Sequence, residues 1–159
     1  MPSPLAFDPP SAPDLASGVR EPAPVVLVAE DDPNLLRLIT QGFARAGYAA
    51  FAAGNGRVAL QMVEALAPAL LVTDIVMPEK EGLATIIEAR RIAPAMGVIA
   101  ISGGGCYGRT GNFLQWAQQL GADHALAKPF TMSELLAAAR DVLERRGARL
   151  PRAAARLIP

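Results

Sequence analysis

Residues 70–78 read Leu-Leu-Val-Thr-Asp-Ile-Val-Met-Pro, an apolar run that ends on one carboxylate and then reaches a proline. A run of this length, bounded by a proline turn, is typical of a strand that is buried on both faces of a parallel sheet. In open parallel sheets, ligands bind beyond the carboxyl ends of the strands. The pattern therefore predicts that Asp74 lies in a ligand-binding crevice.

Similar apolar runs and helical patterns alternate along the rest of the chain. The predicted strands are residues 25–29, 48–52, 70–74, 98–101 and 124–127, and the predicted helices are residues 33–46, 58–66, 82–93, 110–120 and 132–146. Asp32 before Pro33 is a helix N-cap signal, and Thr131 with Glu134 forms a capping box. Five strands that alternate with five helices predict an α/β fold, a doubly wound five-stranded parallel sheet.

Length and composition fit one globular domain. The chain has 159 residues, a formal net charge of zero and one cysteine, Cys106. Balanced charge gives no overall attraction to nucleic acid or membrane surfaces, and a single cysteine excludes an internal disulfide framework. There is no signal-peptide pattern and no run of roughly 20 apolar residues that could cross a bilayer. We expect a cytoplasmic protein.

The predicted domain covers residues 25–146, between two flanking segments. Residues 1–24 hold seven prolines, which stop both helix and strand, so we expect a disordered leader. Residues 147–159 form a short basic tail, which we expect to be solvated. Because the residues after 146 are too few for a DNA-binding module, we expect no direct DNA binding.

Polar side chains lie at the carboxyl ends of four of the predicted strands. Glu30 and Asp31 follow the first strand, Asp74 ends the third, Ser102 follows the fourth and Lys128 follows the fifth. Because these ends share one edge of the sheet, we expect the three carboxylates to cluster, with the hydroxyl and the ammonium facing them. Carboxylates with water ligands suit Mg²⁺. Such a set of groups suits transfer of a phosphoryl group onto Asp74.

Four motifs carry a family resemblance that spans the predicted domain. They are Val-Leu-Val-Ala-Glu-Asp-Asp at 26–32, Thr-Asp-Ile-Val-Met-Pro-Glu-Lys-Glu-Gly at 73–82, Ile-Ser-Gly at 101–103 and Ala-Lys-Pro-Phe at 127–130. With them the chain resembles the receiver domain of bacterial two-component response regulators, of the single-domain chemotaxis-regulator type. The resemblance implies a flavodoxin-like (βα)5 sheet with strand order 2-1-3-4-5.

The resemblance also implies a function. Asp74 would accept a phosphoryl group from a phosphohistidine on a sensor histidine kinase or a histidine phosphotransfer protein. Such a domain accepts and then loses phosphate, and it is not a classical enzyme. Its output would pass to a downstream protein that the sequence does not identify. The resemblance assigns Mg²⁺ or Mn²⁺ to Glu30, Asp31, Asp74 and the backbone carbonyl of Val76. It assigns the phosphoryl oxygens to Ser102 and Lys128. It also makes the peptide bond at Pro129 a candidate cis peptide.

Two features depart from the family pattern. Ala125 stands where the family usually has an aromatic residue whose rotation reports phosphorylation. The segment after Ser102 is longer than is common and rich in glycine. We therefore expect motion of this loop, with Gly103, Gly104 and Gly105 as candidate switch residues, to replace the aromatic switch.

Other functions fit parts of the sequence. Residues 103–108 match the dinucleotide-binding pattern G-x-G-x-x-G, with Asp123 twenty residues beyond Gly103, although the motif follows the fourth strand and Asp123 precedes the fifth. A phosphorylation-silent receiver that acts as an interaction module is a second alternative. A homodimer through the fourth helix, fifth strand and fifth helix would use Trp116, Leu120 and Leu136. A tryptophan on a helix is more often a core residue than an interface residue, so we expect Trp116 in the core.

Overall fold

The computed structural model describes residues 22–77, 82–103 and 110–151, without the side chains of residues 110–114. Several residues that the sequence singled out lie outside these ranges. They are the leader up to residue 21, Glu81, the loop residues Gly104, Gly105 and Cys106, and the tail from residue 152.

The described residues form alternating strands and helices. In chain order they are β1 (Val25–Ala29), α1 (Pro33–Arg45), β2 (Ala49–Ala53), α2 (Gly56–Leu66), β3 (Leu70–Asp74), α3 (Gly82–Ile92), β4 (Gly97–Gly103), α4 (Thr110–Gln119), β5 (His124–Lys128) and α5 (Met132–Arg145). The strands form one parallel sheet in the order β2-β1-β3-β4-β5. The predicted fold and strand order are confirmed. No described helix has the length and apolar character that a membrane crossing requires.

The element boundaries differ from prediction by one or two residues, for local reasons. Helix α2 starts at Gly56, earlier than expected, because the Asn55 side chain caps it by accepting from the amide of Val58 at 2.8 Å. Strand β2 starts at Ala49 and not at Tyr48, since the Tyr48 amide donates to the carbonyl of Phe43.

Helices cover both faces of the sheet. One core cluster joins the sheet to α2, α3 and α4, and the other joins it to α1 and α5. In the second cluster, Phe43 and Tyr48 pack edge to face with ring centroids 5.4 Å apart. Both faces of the central strands are therefore buried. Among the described residues, these strands are accessible only at their ends.

The chain folds back after α5. Gly147 takes a left-handed conformation (φ 68°), and the amide of Ala148 then donates to the carbonyl of Leu143. Ala148 and Leu150 pack against the core cluster of α1 and α5, and Pro151 is buried. Ordered packing thus continues past residue 146, where the sequence placed the end of the domain.

Candidate functional site

Three carboxylates meet at the carboxyl edge of the sheet. Glu30 and Asp31 follow β1, and Asp74 is the last residue of the neighbouring strand β3. Each offers an oxygen, and these oxygens lie within 4.8 Å of one another. Glu30 and Asp74 are buried, whereas Asp31 is exposed. The cluster thus combines a buried anionic floor with one acid that solvent can reach.

Asp74 is held at both carboxylate oxygens. Oδ1 accepts from the backbone amide of Val76 at 2.9 Å, and Oδ2 accepts from Nζ of Lys128 at 2.6 Å. The side chain of Asp74 is only 7% exposed. Its orientation is therefore set by one backbone group two residues away and one cation from β5.

Lys128, the last residue of β5, joins the cluster from the other side. Its Nζ also donates to Oε2 of Glu30 at 2.8 Å. Desolvation works to lower the pKa of Lys128, but the hydrogen bonds to Asp74 and Glu30 outweigh it and hold that pKa above its ordinary value. The side chain is therefore a fixed positive charge. The peptide bond that follows, Lys128–Pro129, is cis.

Glu30 is the most deeply buried acid of the cluster. Burial raises its pKa from 4.5 to about 7, although the hydrogen bonds from Lys128 and from the amide of Asp32 oppose the shift. The negative charge of Asp74 adds to the increase. A carboxyl group with this pKa gains and loses its proton near neutral pH. A cation bound at the cluster would therefore compete with the proton for the Glu30 carboxylate.

The donor set fits a hard divalent cation. It consists of carboxylate oxygens, which are the ligands that Mg²⁺ prefers, and the exposed Asp31 leaves room for the waters that Mg²⁺ retains. Val76 lies two residues beyond the end of β3 and is 62% exposed. This geometry agrees with the acidic pocket in which receiver domains hold Mg²⁺.

Among the described residues, the hydrogen-bond partner of the Ser102 hydroxyl is a backbone carbonyl and not a carboxylate of the cluster. Ser102 is 1% exposed, and its hydroxyl donates to the carbonyl of Gly103 at 3.3 Å. The structure thus brings Glu30, Asp31, Asp74 and Lys128 together as the sequence predicted, and it places Ser102 on the same edge with a local partner. Gly103 ends β4, while the other two candidate switch glycines lie outside the described residues.

Gly82 lies beside the site, and the sequence did not predict that this position requires glycine. It is the first residue of α3, and its amide donates to the carbonyl of Ile75 at 2.9 Å. A Cβ placed on it would lie 1.8 Å from the carbonyl oxygen of Asp74 and 2.6 Å from Cα of Ile75. Only glycine, which has no Cβ, allows α3 to begin this close to the backbone of Asp74. A glycine at the start of a helix that follows a proline turn was the available signal.

Asp123 lies at the opposite end of the sheet, where the strands begin. Its Oδ2 accepts from Arg90 at 2.6 Å and from the amide of Val98 at 2.8 Å, and its Oδ1 accepts from Arg146 at 2.6 Å. Desolvation works to raise the pKa of Asp123, but these hydrogen bonds outweigh it and the pKa is lowered. The carboxylate of Asp123, which the dinucleotide-binding alternative requires, is thus already bound by two arginines and an amide. It is also remote from the carboxyl end of β4.

The surface of α4 carries exposed apolar side chains. Trp116 is 48% exposed and Leu120 is 38% exposed, whereas Leu136 of α5 packs against the core. The sequence favoured a core position for Trp116, and that expectation is wrong. Ala125 is half-buried in β5, so no aromatic ring stands at the usual switch position.

Known proteins are similar to this chain in sequence and in fold. The family model "Response regulator receiver domain" matches residues 26–140. The chain is 32% identical over 114 residues to the DNA-binding transcriptional regulator NtrC of Azospirillum brasilense, covering 72% of this chain and 23% of that protein. It is 31% identical over 126 residues to the transcriptional regulatory protein PrrA of Mycobacterium leprae, covering 79% and 52%. The chain thus spans between a quarter and about half of these relatives.

Solved structures agree with the fold. The receiver domain of NtrX from Brucella abortus superposes with a TM-score of 0.69 at 27% identity, covering 75% of this chain and 98% of that one. A CheY-like receiver domain protein from Methanospirillum hungatei superposes with a TM-score of 0.72 at 23% identity, covering 79% and 97%, which supports the fold alone. With the match over residues 26–140, these findings show that the chain belongs to the response regulator receiver domain family of two-component systems.

Proposed function

We propose that Asp74 accepts a phosphoryl group from a phosphohistidine and that the phosphorylated domain signals through a partner protein. The donor would be a sensor histidine kinase or a histidine phosphotransfer protein. One observation carries the proposal: Asp74 lies within 4.8 Å of two further acids and 2.6 Å from a lysine ammonium, at the open edge of the sheet.

The reaction would transfer the phosphoryl group between two nucleophiles. A carboxylate oxygen of Asp74 forms a bond to phosphorus as the bond from phosphorus to the imidazole nitrogen breaks, and the electron pair of that bond stays with the imidazole. The amide of Val76 holds Oδ1, so the carboxylate meets the phosphorus in a set orientation. Mg²⁺, when bound, would neutralise charge on the carboxylates and on the transferring oxygens.

Lys128 is well placed to bind the product. An ammonium has three donors, and two of them serve Asp74 and Glu30 among the described residues. The third can donate to a phosphoryl oxygen before either existing bond is lost. The hydroxyl of Ser102 could join after rotating away from Gly103, because its 3.3 Å bond is long for a hydroxyl donor.

The metal ligands we propose are the carboxylates of Glu30, Asp31 and Asp74 and the backbone carbonyl of Val76. Three negative charges so close together disfavour one another unless a cation is present, and Lys128 supplies only one positive charge. A divalent cation would balance the remaining charge. This is why the proposed transfer needs Mg²⁺ or a similar ion such as Mn²⁺.

We further propose that the chain works as a stand-alone phosphoacceptor whose output is a protein–protein contact. The support is that the family match covers residues 26–140 and that Glu30, Asp31, Asp74 and Lys128 all lie within that range. The identity of the partner would follow from capture by the phosphorylated form.

Acetyl phosphate with intact-mass detection tests the proposal. We expect the protein to gain one phosphoryl group in the presence of Mg²⁺ and none after chelation. Asp74→Asn should abolish the gain. Asp141→Asn is the matched control, because Asp141 is an exposed acid on α5 that pairs with Arg145. No gain under any condition would contradict the proposal and favour a silent receiver that acts as an interaction module.

A further inference from the structure

Strand β2 forms an edge of the sheet, and its outer side carries backbone groups. Within the described residues it pairs with β1 alone. The amide of Ala49 donates to Pro24, and the carbonyl of Ala53 accepts from Glu30, so residues 49, 51 and 53 direct their backbone groups toward β1. By alternation, Ala50 and Ala52 direct their amides and carbonyls outward.

This edge lacks the features that usually prevent strand addition. Proteins protect sheet edges with charges, prolines or bulges. Strand β2 reads Ala-Ala-Phe-Ala-Ala, with no charge and no proline, and its Phe51 is 38% exposed. The other edge strand, β5, begins with His124 and ends with Lys128. The two edges therefore differ, and β2 is the one open to a further strand.

We propose that two copies of this chain pair antiparallel through β2, about a two-fold axis at Phe51. On this axis, the amide and carbonyl of Ala50 face the carbonyl and amide of the partner's Ala52, and the reverse holds for Ala52. Every outward backbone group of the strand thus meets a complementary one. The two Phe51 residues then form the pair between hydrogen-bonded positions, where side chains approach most closely.

The sequence of the strand argues for a second copy as its occupant. Ala-Ala-Phe-Ala-Ala is the same in both directions, so a two-fold axis places alanine opposite alanine and phenylalanine opposite phenylalanine. No like charges face each other. Phe51 is in register with Leu27, which belongs to the core cluster of α2 and α3, so both rings lie on the α2 side of the joined sheets. Aromatic pairs of this kind add stability beyond the area they bury.

The proline-rich segment at residues 2–13 is a poorer occupant of this edge. It contains Pro2, Pro4, Pro9, Pro10 and Pro13, each of which lacks an amide donor. A continuous ladder with Ala50 and Ala52 requires donors at alternate positions. The segment nevertheless provides the alternative that the experiment must distinguish.

Sedimentation velocity of the full chain, from low micromolar to near-millimolar concentration, tests the proposal. We expect a reversible monomer–dimer equilibrium without any phosphoryl donor. Phe51→Lys should raise the dissociation constant at least tenfold, because it places two ammonium groups together on the axis. Ala52→Lys should act in the same direction. Leu38→Lys is the control, since Leu38 is 60% exposed but lies on α1.

Amide hydrogen exchange gives a second readout. The amides of Ala50 and Ala52 should gain protection as concentration rises, while those of Ala49, Phe51 and Ala53 stay protected throughout. A chain that is monomeric at every concentration would overturn the proposal. So would a dimer that Trp116→Lys dissociates and Phe51→Lys does not. Protection of Ala50 and Ala52 that is independent of concentration and lost when residues 1–21 are removed would assign the edge to that segment instead.

Discussion

Nζ of Lys128 lies 2.6 Å from Oδ2 of Asp74, so the cation expected to bind the product is already bonded to the acceptor. The same Nζ lies 2.8 Å from Oε2 of Glu30. One side chain at the end of β5 thus ties two buried acids of β1 and β3 together. We therefore expect the stability of the site and its proposed reactivity to respond to the same substitution.

Lys128→Met should therefore impair both properties. Without the ammonium, Glu30 and Asp74 lose their shared cation, and we expect unfolding to become easier by about 2 kcal/mol in the absence of metal. Labelling by acetyl phosphate should slow by roughly 100-fold. Urea denaturation with and without Mg²⁺ measures the first effect, and Mg²⁺ should stabilise the variant more than the natural protein.

The control for this substitution is Arg140→Met. Arg140 pairs with Glu144 on the exposed face of α5, and a surface pair of this kind contributes less than about 1 kcal/mol. Equal losses of stability from both substitutions would show that the buried position of the Lys128 pairs does not matter.

Gly82→Ala should destabilise the domain by about 3 kcal/mol and suppress phosphorylation. The new methyl group would occupy the position of the Asp74 carbonyl, and backbone atoms cannot move aside as a flexible side chain can. Gly54→Ala is the matched control, because a Cβ there meets nothing within 4 Å. Thermal unfolding of both variants checks the prediction, and similar melting temperatures for the two would contradict it.

The lowered pKa of Asp123 predicts a pH-dependent contribution to stability. Its ordinary value is 3.8, and in the folded protein the pKa lies below that. The stabilisation is therefore fully present above the ordinary value and is lost as the pH falls through the folded pKa. At neutral pH we expect Asp123→Asn to cost on the order of 2 kcal/mol, because Arg90, Arg146 and the Val98 amide lose a charged acceptor.

Urea titrations of the natural protein and Asp123→Asn, from neutral pH to well below pH 3.8, test this prediction. The difference in unfolding free energy between the two should shrink as the pH falls. Using the difference removes the contribution of the other carboxyl groups. If it stays constant across the range, the hydrogen bonds of Asp123 do not depend on its charge.

The segment after α5 should contribute to stability as part of the domain. A chain that ends at residue 147 lacks Ala148, Leu150 and Pro151, and we expect it to be about 2 kcal/mol less stable than one that ends at residue 151. Denaturation of these two shortened chains measures the difference. Equal stabilities would show that Leu150 and Pro151 rest on the core without strengthening it.

Periodicity and local signals were sufficient to predict the sheet and the acidic cluster. The central strands are recognisable as apolar runs because both of their faces are buried, and each site residue lies at or just beyond the carboxyl end of a strand. Asp74, Glu30, Asp31 and Lys128 could therefore be assigned to one edge before their distances were known. The start of α2 was also readable, because Asn55 is a good N-cap residue.

The remaining features depend on contacts between distant parts of the chain. Asp123 and Arg90 are 33 positions apart, and each looks like an ordinary surface charge in the sequence. The need for glycine at position 82 follows from its close approach to the backbone at the end of β3. The glycine after a proline turn was a local signal, but the sequence does not report the distance. The exposure of Trp116 likewise depends on how α4 sits on the sheet, which helical periodicity alone does not determine.

The described chain enters β1 and leaves α5 at the same end of the sheet, the end where the strands begin. Pro24 precedes β1, and Arg146, at the end of α5, donates to the carbonyl of Pro94 just before β4. The site lies at the opposite end, where the strands finish. One strand length, roughly 17 Å for five residues, separates the two ends. A reporter protein or surface tether fused before Pro24 would therefore leave the approach to Asp74 open, which makes the domain convenient as a replaceable module in engineered biosensors.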